Sequence, residues 1–81
     1  MEQRLDLYRI RQAYLNTFTS DAGEIVLTDM RASYNDRESF TPNDPHSTAY
    51  YEGQRSVFLA ILRLMADAIE DRKQQEGGNE Q

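Results

Sequence analysis

Residues 57–65 read Val57-Phe58-Leu59-Ala60-Ile61-Leu62-Arg63-Leu64-Met65, an apolar run interrupted only by Arg63. Taken with Ala68 and Ile69, the run has a helical period. Leu64, Ala68, Ile61, Val57, Met65, Phe58, Ile69 and Leu62 fill an arc of roughly 160° on a helical wheel, wide enough to pack against two neighbours at once. Leu59 falls about 60° beyond that arc, close to Glu52 and Arg63 on the polar side. An intramolecular core therefore leaves Leu59 uncovered, and it is the first candidate for contact with a partner.

Working outward from this stretch, Asp44-Pro45 is an N-cap followed by proline at the first helical position, where the missing N–H costs nothing. After the internal Gly53, the next residue able to stop the helix is Gly77. The spacing predicts a helix over residues 45–73, a rod of roughly 43 Å. The polar, glycine-bearing residues 74–81 are expected to form a disordered tail. Glycine inside a helix costs about 1 kcal/mol against alanine, so Gly53 implies a close backbone approach or a local bend. Glu52 and Arg55 can pair across it at i, i+3. That pairing favours helix packing with a surface ion pair, with a docking motif as the second reading.

Upstream, Leu7, Ile10, Tyr14 and Phe18 recur at the spacing of one helical face, predicting a helix over residues 3–18. Arg11 falls inside that face and must either snorkel or find a carboxylate; snorkelling is the preferred reading. Asp21 followed by Glu24 has the form of an N-cap with a capping-box acid, so a second helix is predicted over residues 21–34. Its face holds Val26, Leu27, Met30 and Tyr34, together with Gly23, whose position in the first turn permits close approach to a neighbour. Ile25 points the other way and is a second candidate contact. The polar, turn-rich segment 35–44 is read as an ordered connection plugged by Phe40. The expected architecture is all-α, with two shorter N-terminal helices packed on one long C-terminal helix.

Composition narrows the function classes. The 81 residues hold one small domain, and a chain of this size buries a modest share of its surface, so association with itself or a larger assembly would relieve a deficit. The absence of cysteine excludes a disulfide framework, a thiolate zinc site and a cysteine nucleophile. The amino terminus lacks an uninterrupted apolar stretch of the secretory kind, and no run approaches membrane-spanning length. The formal net charge of −5 has the wrong sign for life on phosphate backbones, although Arg4, Arg9 and Arg11 gather on the first helix. The single imidazole, His46, sits two residues past a helix cap. Its neighbours Ser47 and Thr48 are explained as first-turn residues bonding free backbone amides. Asp36, Glu38 and Asp44 lack the alternating spacing of a calcium loop, and no phosphate-cradling glycine motif occurs. We therefore expect no enzyme activity, no cofactor and no metal.

Two stretches carry a family resemblance. They are Phe18-x-Ser20-x-x-Gly23-x-x-Val26-Leu27 and Phe40-x-Pro42-x-Asp44-Pro45-His46-x-Thr48-Ala49-x-x-Glu52-Gly53-Gln54-Arg55-Ser56-Val57. Over roughly residues 14 to 65 the chain resembles the small tailed-phage proteins first catalogued in a Bordetella podovirus. Genes of that family tend to sit among head and portal genes, and no enzymatic activity or functional residue is established for it. The resemblance implies a phage origin and a place in the virion or its assembly. The expected partner is then a phage structural protein, such as portal, capsid or internal component, or a second copy in a homo-oligomer. The contact would be carried by Leu59, Ile25, Glu52, Arg55, Arg63 and Arg11. The alternative is a small inhibitor of a host defence or regulatory protein, since a short acidic protein can occlude a basic surface. Either reading places the protein in the virion or the host cytoplasm, with no membrane contact.

Overall fold

A computed structural model describes residues 6–36 and 42–78. The chain is all-helical there: α1 (Leu7–Phe18), α2 (Asp21–Met30), a π-helical turn (Arg31–Asn35) and α3 (Pro45–Gly78), with no strand among the described residues. The short N-terminal segments pack on the long C-terminal helix. Phe40, the expected plug of the connection, lies outside the described residues.

Local chemistry sets each boundary. Asp6 is extended, with φ −71° and ψ 158°, and its carboxylate accepts the Arg9 N–H at 2.8 Å. It is the N-cap of α1, so that helix begins at Leu7, and residues 3–5 of the expected helix lie outside the described residues. The second helix is capped one residue earlier than Asp21. Ser20 adopts the extended conformation and its Oγ accepts the Gly23 N–H at 3.0 Å, while Asp21 and Glu24 sit in the first turn, where the helix dipole favours acids. Regular α-helix stops at Met30 and not at Tyr34. There the turn widens, and the Asp36 N–H bonds the Arg31 carbonyl five residues back at 2.9 Å, the π pattern.

Asn43 takes a left-handed φ of 62°, a conformation asparagine tolerates, and delivers the chain into the Asp44 cap. Asp44 accepts both the Ser47 N–H at 3.1 Å and the Ser47 hydroxyl at 2.8 Å, and these bonds hold its carboxyl below the usual range. Helix α3 then runs unbroken through Gly53 and past Lys73 to Gly78. Residues 74–78, expected in the tail, are helical, and the 34-residue helix spans about 51 Å.

Helix α1 runs antiparallel along the C-terminal half of α3. Gln12 donates to the Ala68 carbonyl at 2.9 Å, and Arg72 reaches back to Gln12 Oε1 at 2.6 Å and to Asn16 Oδ1 at 2.9 Å. Arg11 does not snorkel; its Nε pairs with Asp71 at 2.8 Å. Ala68 is fully buried there, its small side chain letting α1 approach closely, and Leu15 is buried beside it on α1. Helix α2 packs chiefly on α1, and its continuation, the π turn, is what reaches α3. The Arg31 guanidinium lies 5.3 Å from the centroid of the Phe58 ring, which is completely buried.

Because α1 covers the distal half of α3 and the π turn only its middle, the expected core arc is partly bare. Val57 is 61% exposed and Ile69 is exposed, while Ile61, Leu62, Leu64 and Met65 are half-buried. Val26 and Tyr34 of the second segment are exposed as well. A half-buried side chain forfeits less on truncation. Ile61→Ala is expected to cost about 1–2 kcal/mol, below the 2–5 kcal/mol typical of full burial, and a thermal melt reads this directly. A fall larger than that would place Ile61 in the closed core.

Candidate functional site

The candidate contact residues separate into distinct environments. Leu59 is 46% exposed on the face of α3 turned away from α1 and the π turn. Ser56, Leu59, Ala60 and Arg63 line a shallow depression of about 250 Å³ there. Glu52 and Arg63 are exposed on the same face, and Arg55 flanks it, half-buried. The helix alone brings Glu52, Leu59 and Arg63 together, since their spacing places them within about 40° on the wheel.

Ile25, 72% exposed, stands elsewhere, on α2, in a depression of about 360 Å³ that it shares with Asp21, Glu24 and Thr28. Arg11 is engaged inside the fold. Its hydrogen bond to Asp71 raises its pKa, with burial acting in the opposite sense. An arginine so held serves the α1–α3 contact and is not an open docking group.

Sequence reasoning missed one feature. Met30, Tyr34, Gln54, Val57 and Phe58 enclose an apolar groove of about 310 Å³ between the π turn and α3. Its signal was the exposed side of the core arc, Val57 with Tyr50 seven residues before it. Recognising it required knowing that the second helix widens before it can cover them.

The two internal glycines differ in kind. At Gly23 a Cβ would collide with the Thr17 carbonyl oxygen and lie 2.8 Å from Phe18 Cα, so the close approach expected there is present. At Gly53 a Cβ would meet nothing within 4 Å. No packing among the described residues needs that glycine, contrary to the close approach expected, and α3 continues through it. Gly53→Ala is therefore expected to stabilise the single chain by about 1 kcal/mol, read as a rise in melting temperature in dilute solution. A fall would mean that the backbone there is strained in a way the helix does not display.

His46 is exposed in the first turn of α3, and Ser47 is committed to the Asp44 cap. No helix among the described residues is long and apolar enough to cross a membrane.

Fold and surface together define a small all-α protein whose described depressions open to solvent along helix faces. The chain belongs to the Bbp19-like phage protein family, whose model matches residues 14–75, from the middle of α1 through most of α3. No curated protein and no solved structure matches it.

Proposed function

We propose that this phage protein works without catalysis, docking through its helical faces on a structural component of the phage, in the virion or during its assembly. The observation that supports this reading is the apolar surface left outside the fold. Tyr50, Val57, Leu59 and Ile25 are all exposed, on two different helices, in a chain with few fully buried side chains among its described residues. Exposed apolar side chains lining grooves are the usual mark of protein contact surfaces. Mass spectrometry of purified virions tests the virion role, with stoichiometric copies expected; if none are found, capture on assembly intermediates tests the remaining role, and absence from both overturns the reading.

A second reading rests on charge. With a net charge of −5, the protein suits a basic partner surface, as a small inhibitor of a host protein would. Expression by itself in the host followed by affinity capture separates the two: a stoichiometric host partner favours the inhibitor.

A further inference from the structure

We draw no further inference here: the strongest candidate, the apolar groove of about 310 Å³ between the π turn and α3 lined by Met30, Tyr34, Gln54, Val57 and Phe58, carries nothing because nothing in the structure shows what covers it.

Discussion

Phe58→Ala is expected to lower stability by about 3–5 kcal/mol, the range for removing a fully buried aromatic side chain. The ring is completely enclosed, forms the floor beneath Met30 and Tyr34, and carries the Arg31 guanidinium 5.3 Å from its centroid. It is the contact through which the π turn holds the middle of α3. Truncation would join a new cavity to the groove already open beside it and remove the seat of Arg31. A domain of this size holds in total on the order of 4–12 kcal/mol, so the loss is a large part of the whole. At roughly 4–8 °C per kcal/mol, the thermal midpoint should fall by more than about 12 °C. A shift under about 5 °C would show that the ring is not clamped in solution as it is here.

Gly23→Ala is the second large effect, and its sign opposes helix propensity. Alanine is the better helix former by about 1 kcal/mol, yet the added methyl would occupy the space of the Thr17 carbonyl oxygen. Backbone cannot step aside as a flexible side chain does, so the α1–α2 corner must open. Overpacking of this kind costs about 1–3 kcal/mol and occasionally more. The net expectation is a loss of about 2 kcal/mol, measured by denaturant midpoint with unchanged slope. The contrast with Gly53→Ala is the sharper check, since the same substitution should destabilise at one position and stabilise at the other. Equal effects at the two sites would mean that helix propensity, and not the corner contact, governs both.

The all-helical fold was legible because its signals are local. The Asp44-Pro45 start, the glycine in the first turn of α2 and the 3.6-residue period of residues 57–69 depend on residues within a turn or two of each other. The errors lie where a local signal had two readings. Ser20 and Asp21 are both good caps, and the choice fell to whichever residue turned extended. The neighbours of Arg11 in sequence point it to solvent, because Asp71, its carboxylate, is sixty positions away. Composition marks the segment after Lys73 as a tail, although its first five residues continue the helix and Tyr8 of α1 reaches Gln75 there at 3.5 Å.

The candidate surface divides the same way. That Leu59, Glu52 and Arg63 share one face follows from helical spacing, which sequence supplies directly. That Val57 belongs to an open groove does not follow from it.

The order of residues by itself determined that the chain is helical, where α3 begins, and which side chains stand together on its outer face, because a helix converts spacing into position without help from other segments. Only the tertiary structure decided how much of the inner face is covered. That depends on where two separate segments land on α3, and the widening of the chain after Met30 puts a π turn, not the length of α2, against Phe58.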